Sequence, residues 1–256
     1  MIEFKNVKKE FSGKPVLRGM TLSVAQGETI SLVGTSGAGK SVTLKHMVRL
    51  LEATSGEILI DGENILDQQG DDLDRIRKKF GYLFQGAALL QWMSVYENVA
   101  LPLRENTKLS DDEIDRKVTS VLEKVDLLDA AAKLPANISG GMQKRAGLAR
   151  AVVTEPQILL YDEPTSGLDP VTSRTIDFLI HDLQQDLGVT SVVVTHDMIS
   201  ALTISDRIAM LHLGTVSEVS SPKDFLHSKN EVVRNFLDSQ CISPNFFEDF
   251  PERILT

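Results

Sequence analysis

The chain has 256 residues, 42% of them apolar, a formal net charge of −9 and one cysteine, Cys241. That is enough apolar material for one large domain or two lobes, and the acidic balance argues against a nucleic-acid surface, which needs clustered Lys and Arg. A lone cysteine excludes an internal disulfide, no apolar run approaches the roughly 18 residues of a membrane span, and Met1–Lys5 reads straight into a strand without a signal-peptide pattern.

A soluble cytoplasmic α/β protein is therefore expected. In residues 1–33, short apolar bursts (Ile2-Phe4, then Leu17-Met20-Leu22-Val24) are broken at Ser12-Gly13-Lys14-Pro15 and Gln26-Gly27, the pattern of a small, largely antiparallel sheet. Phe11 sits just before a turn, placed either to stack on a flat base or to fill core. Thr29–Val33 reads as a buried strand, and Ser41–Leu51 as a helix with Leu44, Met47, Val48 and Leu51 on one face. Between them Gly34-Thr35-Ser36-Gly37-Ala38-Gly39-Lys40-Ser41 fits G-x-x-x-x-G-K-[ST], the phosphate-binding loop. Glycines let backbone N–H groups close around phosphates, and the helix N-terminus adds positive potential. Lys40 would reach the β- and γ-phosphates and the Ser41 hydroxyl would hold Mg²⁺. Chance produces this pattern in roughly one chain of this length in a hundred.

Gly56–Gly62 is a strand closed by a turn. Asp71–Lys79 reads as a charged helix whose Arg75, Arg77, Lys78 and Lys79 need no partner. Phe80–Phe84 is a buried strand ending at Gln85-Gly86, a polar side chain on a hinge. From about 87 to 133 the pattern turns helical, a lobe inserted between strands. Pro102 is expected to end a first helix from Ser94. Ser110 with Glu113 resembles a capping box, followed by Ile114, Val118, Val121, Leu122 and Val125 on one face. Ser139-Gly140-Gly141 opens a helix to about Thr154. Ile158–Tyr161 is a strand ending in Asp162-Glu163, Pro170–Leu187 is a helix, and Thr190–Thr195 is a Val-rich strand followed by His196. This alternation argues for a parallel sheet with ligands at strand C-termini. The tail from 239 to 256, with Phe246, Phe247 and Phe250, reads as an extension rather than core.

Four groups fall at strand ends or helix starts. Asp162 is placed to hold Mg²⁺ through water, and Glu163 to polarise a water against the γ-phosphate. His196 is placed to contact that phosphate or hold the water, and Gln85 to offer its amide oxygen to Mg²⁺. Ser139-Gly140-Gly141 is a second anion-binding helix start. One chain does not easily bring two such ends onto one γ-phosphate, whereas a second copy docked head to tail does.

The set Gly34–Ser41, Gln85, Ser139–Gln143, Ile158–Glu163, Ser166-Gly167-Leu168-Asp169 and His196 resembles the ATP-binding subunit of ABC transporters over residues 1 to about 238. The resemblance implies a P-loop fold of that type: a mainly parallel core sheet, an antiparallel β subdomain and an inserted helical lobe at about 87–155. It implies that Phe11 stacks on adenine, Val16 lines its pocket, Val42 follows the loop with its backbone N–H, and Asp169 crosses a dimer interface. ATP would lie between Gly34–Ser41 of one subunit and Ser139–Gly141 of its copy. Ile138 and Met142 stand where the family usually has Leu and Gln, and Val42 where Thr is frequent; none removes a catalytic group. Phe84–Leu90, Ser94–Glu105 and the Ser-Gly-Gly-Met signature are most similar to the ATPase of Mla-type, MCE-associated lipid transporters. That implies phospholipid transport between inner and outer membranes, with permease subunits, an MCE-type lipid-binding subunit and a peripheral place on the cytoplasmic face of the inner membrane. Leu89, Leu90, Trp92 and Met93 are a candidate permease groove, or else core of the lobe. Two other readings are an importer ATPase for a small polar solute and a non-transport ABC protein. The latter needs a second cassette, a coiled-coil insertion or a basic surface, and none is evident.

Overall fold

Alternating side chains define the first strand, β1 (Ile2–Phe11): Ile2, Phe4 and Val7 are buried while Lys5, Asn6 and Lys8 face solvent. The structure, a computed structural model, describes residues 1–249. After β1 come β2 (Lys14–Val24), β3 (Thr29–Val33), α1 (Lys40–Met47), β4 (Ser55–Ile60), β5 (Glu63–Asn64) and α2 (Gly70–Arg77). Then follow β6 (Phe80–Leu83), α3 (Val95–Asn106), α4 (Asp111–Lys124), α5 (Gly140–Val152), β7 (Ile158–Asp162) and α6 (Pro170–Leu187). The chain continues through β8 (Thr190–Val194), α7 (Met198–Ile204), β9 (Arg207–His212), β10 (Thr215–Ser220), α8 (Pro222–Leu226), α9 (Glu231–Ser239) and α10 (Phe246–Asp249). It divides into two units, one made of Met1–Arg77 together with the chain from Thr190 onward, the other of Lys78–Val189.

In the first unit, β1 pairs antiparallel with β2 and β4, and β5 completes the order β2-β1-β4-β5. The wholly buried β3 pairs parallel with β8 on one side and β9 on the other, with β10 antiparallel beyond β9. A strand buried along its whole length, such as β3, is what a parallel sheet covered on both faces requires. Helix α1 ends earlier than the apolar spacing suggests, because Arg49 takes a left-handed φ of 50°. Arg77 closes that end: its Nε donates to Val48 O and its guanidinium to Arg49 O, both at 3.1 Å. Arg75 forms a two-pronged pair with Glu63. The reading that these arginines need no partner is thus corrected; carbonyls at a helix end attract cations.

A second correction concerns the tail. Phe246 is 3% exposed and belongs to the apolar cluster of Val33, Met198, Phe225, Val233 and Phe236, so the residues after 238 supply core. Phe247 is 44% exposed. Phe250, like the remainder of the tail, lies outside the described residues.

In the second unit, β6 and β7 are parallel neighbours, and α5 lies against β6 at very close approach. A Cβ on Gly81 would meet Ala151 O at 2.1 Å, and one on Gly147 would meet Leu83 Cδ1 at 2.8 Å. Helices α3 and α4 pack on each other and on α5, and the expected lobe at about 87–155 falls inside this unit. Ser110 and Glu113 form the expected capping box on α4, and Ser94 with Glu97 forms another on α3. Hydrogen bonds to the two serines hold both glutamate carboxyls below the usual carboxylate range. Pro102 lies inside α3 rather than ending it. The helix runs on to Asn106, whose side chain donates to Pro102 O at 3.0 Å.

Candidate functional site: a glycine loop and a buried lysine clasp

The first unit carries the glycine loop Gly34–Ser41. Gly34, Gly37 and Gly39 take φ values of 147°, 80° and 104°, outside the ordinary range of residues with a Cβ. A Cβ on Gly34 would lie 2.3 Å from Leu211 O, and one on Gly39 would lie 2.8 Å from Leu17 Cδ2 and 3.5 Å from Val16 O. The loop is therefore a cradle that side chains would fill. Lys40 Nζ donates to Gly34 O at 2.8 Å and Thr35 O at 3.3 Å, folding the cation back over the loop. Helix α1 opens with neither a capping side chain nor a first-turn acid, unlike α3, α4, α5 and α6. The arrangement fits an anion as the cap. Thr35, Ser36 and Gly37 are exposed, Ala38 is buried, and Ser41 and Val42 are half-buried. One position on, the Thr43 hydroxyl donates to Gly39 O at 2.9 Å.

The parallel register brings His196 to the same sheet edge. Leu32 pairs with Val194, so Gly34 and His196 each lie two residues past paired positions. His196 is exposed and its carbonyl accepts from Gln240 Nε2 at 2.9 Å. Val16 lies beside Gly39. Phe11 stands at the β1–β2 turn, 40% exposed, with Lys9 Nζ 4.9 Å from its ring centroid.

The second unit assembles Gln85, Asp162 and Glu163 by the same logic, because Leu83 pairs with Tyr161 and the polar residues follow on both strands. Asp162 and Glu163 are 5% and 8% exposed, and Glu163 has a left-handed φ of 53°. Burial and the Asp162 charge push the Tyr82 phenol well above its ordinary value. Ser139 caps α5, accepting from Met142 N at 3.3 Å, and both Ser139 and Gly140 are exposed. Gly141 is buried against α6, where a Cβ would meet Thr172 Cγ2 at 2.6 Å. Asp169 caps α6, accepting from Val171 N and Thr172 N at 3.0 Å each, and bonds to the Thr172 hydroxyl hold its carboxyl below the usual range.

Three residues that sequence reasoning missed shape this unit. Lys144 is 6% exposed, and its Nζ donates to Gln85 O and, at 3.0 Å, to Glu163 O. Burial lowers the pKa of this ammonium, with the Glu163 and Asp162 charges opposing the shift. Arg150 donates to Ala88 O at 2.7 Å and Ala87 O at 2.6 Å, both residues left-handed. The available signal was helical spacing: Lys144 lies four before buried Leu148 and seven before buried Ala151. Asn98, wholly buried, accepts from Leu90 N at 2.7 Å and shares its NH₂ among the carbonyls of Leu90, Met93 and Ser94. It thereby builds the loop on which Trp92 is 74% exposed while Leu89 is 7% exposed, so the four candidate groove residues divide into core Leu89, half-buried Leu90 and Met93, and the surface ring of Trp92. Asn98→Ala is expected to cost about 2–3 kcal/mol, by stranding the Leu90 N–H and loosening the loop. Urea melts together with Trp92 fluorescence check this.

A family model described as ABC transporter matches residues 17–166. The chain belongs to the ABC transporter family. This ABC cassette is 43% identical over 243 residues, 95% of its length and 70% of the relative's, to the probable ribonucleotide transport ATP-binding protein Mkl of Mycobacterium leprae. It is 39% identical over 265 residues, spanning 100% of this chain and 79% of the relative, to methionine import ATP-binding protein MetN 1 of Pseudomonas fluorescens. Among solved structures it is similar to the dimeric cassette MJ0796 in a post-hydrolysis state with ADP and phosphate, at 34% identity and a TM-score of 0.80. That match covers 87% of this chain and 99% of the other. It is also similar to CbiO1 of Clostridium perfringens, part of the CbiONQ transporter complex, at 30% identity and a TM-score of 0.81 over 92% and 94% of the two chains. The ABC cassette is thus the ATP-binding subunit of a transporter and an ATPase. Among its described residues no helix is long and apolar enough to cross a membrane.

Proposed function

We propose that this subunit powers phospholipid transport between the inner and outer membranes through ATP-driven closure of two copies. Gly34–Val42 wraps the phosphates, with Lys40 neutralising the β- and γ-oxygens. Phe11 and Val16 take the adenine. The donors Ser41, Gln85 and Asp162 are all oxygens, the chemistry that suits Mg²⁺, and these residues would hold it. When bound, Mg²⁺ supplies positive charge against the phosphate oxygens. Glu163 draws a proton from the attacking water, and His196 holds that water or the γ-phosphate. Ser139, Gly140 and Gly141 of the second copy complete the site, which accords with Ser139 and Gly140 being exposed at the start of α5. Asp169, besides capping α6, lies at the contact between copies. Residues 1 to about 238 carry the cassette's motifs, the chain beyond them adds Phe246 to its core, and exposed Trp92 is the point of contact with a permease.

The single observation that carries the lipid reading is the pair of segments Phe84–Leu90 and Ser94–Glu105, tied together by Asn98, with the Ser-Gly-Gly-Met signature. An importer for a small polar solute is the second reading, favoured by 39% identity to a methionine importer subunit along this whole chain. Purifying the chain with its complex from membranes decides between them. A permease with an MCE-type subunit and co-purified phospholipid is expected, on the cytoplasmic face of the inner membrane. A permease whose ATPase is stimulated by an amino acid or another polar solute would overturn the lipid reading.

A further inference from the structure

A lysine buried to 6% exposure with two main-chain carbonyls as hydrogen-bond partners is costly to keep, because burial penalises its charge and methionine would fill the same space. Its two acceptors are not arbitrary. One is the carbonyl of Gln85, and the other that of Glu163, whose left-handed backbone sets the direction from which its carboxylate departs. Six residues further along α5, Arg150 grips the carbonyls of left-handed Ala87 and Ala88. Between these grips a Cβ on Gly147 would lie 3.0 Å from Ala87 Cβ, so α5 lies directly on the same segment. The helix that begins with Ser139-Gly140-Gly141 thus holds the backbone of residues 85–88 at three carbonyls and that of Glu163 at one.

We propose that Lys144 is a positioning residue for ATP hydrolysis, binding the main chain of Gln85 and Glu163 to the signature helix so that displacement of α5 reaches both residues together. The inference rests on the roles given above to Gln85 and Glu163. Lys144 touches neither the nucleotide nor the water; it acts through the two carbonyls. The test compares Lys144→Met, Lys144→Gln and Lys144→Arg in the complete transporter, measuring steady-state ATPase, KM for ATP and amide hydrogen exchange.

In Lys144→Met we expect kcat to fall about 10- to 100-fold, the weight of a charge-assisted hydrogen bond, with KM changed less than about threefold. Exchange should accelerate at residues 85–88 but not along β6. Lys144→Arg, which keeps the donors, should recover much of kcat, and Lys144→Gln should not. In a Glu163→Gln background the Lys144→Met change should add little, since the carboxylate it positions is gone. Unchanged kcat in the Met and Gln variants would overturn the inference. So would a loss that tracks lowered melting temperature equally in all three variants, which marks simple packing; if the Met variant does not fold, the Arg and Gln pair decides. Wild-type transporter without ATPase activity would instead overturn the site assignment itself, and this inference with it.

Discussion

Glu163→Gln is expected to leave ATP binding intact, to lower phosphate release by about 10²- to 10⁴-fold and to accumulate a dimer. The amide is nearly isosteric with the carboxylate, so the left-handed backbone and the Lys144 bond to Glu163 O persist and the structural cost is small. What disappears is the group proposed to take a proton from water. With hydrolysis blocked, two copies that complete each other's site as proposed should stay closed on bound ATP. Phosphate release by the variant in the presence of its permease, together with the mass of the ATP-bound species in solution, reads both halves. Unchanged release would refute the role given to Glu163, and a strictly monomeric ATP-bound species would refute the shared site.

The second large effect is expected from Gly34→Ala. The added methyl would lie 2.3 Å from Leu211 O, a main-chain atom of β9 that does not move cheaply, at a φ of 147° that only glycine adopts readily. A loss of about 2–5 kcal/mol in stability is expected, with loss of nucleotide binding as the loop is pushed off its strand. Gly37→Ala is the control, since its Cβ would meet nothing within 4 Å and only its φ of 80° is unfavourable. It should cost about 1–2 kcal/mol. Urea melts and ATP titrations separate the two; equal losses would mean that contact with β9 is not what demands glycine at 34.

The glycine loop, strands β3, β7 and β8, and helix α6 were legible because a fixed glycine spacing, short Val- and Leu-rich runs bounded by turn residues, and a capped helical start together narrow the readings. Residues Pro170–Leu187 have the predicted bounds in the structure. Other features depended on partners far along the chain. Arg77 reads as solvated until the carbonyls of Val48 and Arg49 are in place, 29 and 28 residues away. Lys144 has no visible acceptor in the sequence until Gln85 and Glu163 flank it. Pro102 reads as a stop, yet α3 passes through it, because packing on α4 and α5 outweighs one missing N–H. Phe246 was missed for a simpler reason: its apolar neighbours, from Val33 to Phe236, come from segments with no periodic relation to it.

The discontinuous first unit has a consequence for biosynthesis. Strand β3 emerges early from the ribosome, but its flanking strands begin at Thr190 and Arg207, after the whole second unit has been translated. At typical elongation rates of about 5–20 residues/s the wait is roughly 8–35 s, during which Thr29–Val33 has neither neighbouring strand to pair with. The nascent polypeptide should therefore depend on chaperone shielding during that interval, while the intervening Lys78–Val189 module is free to fold first.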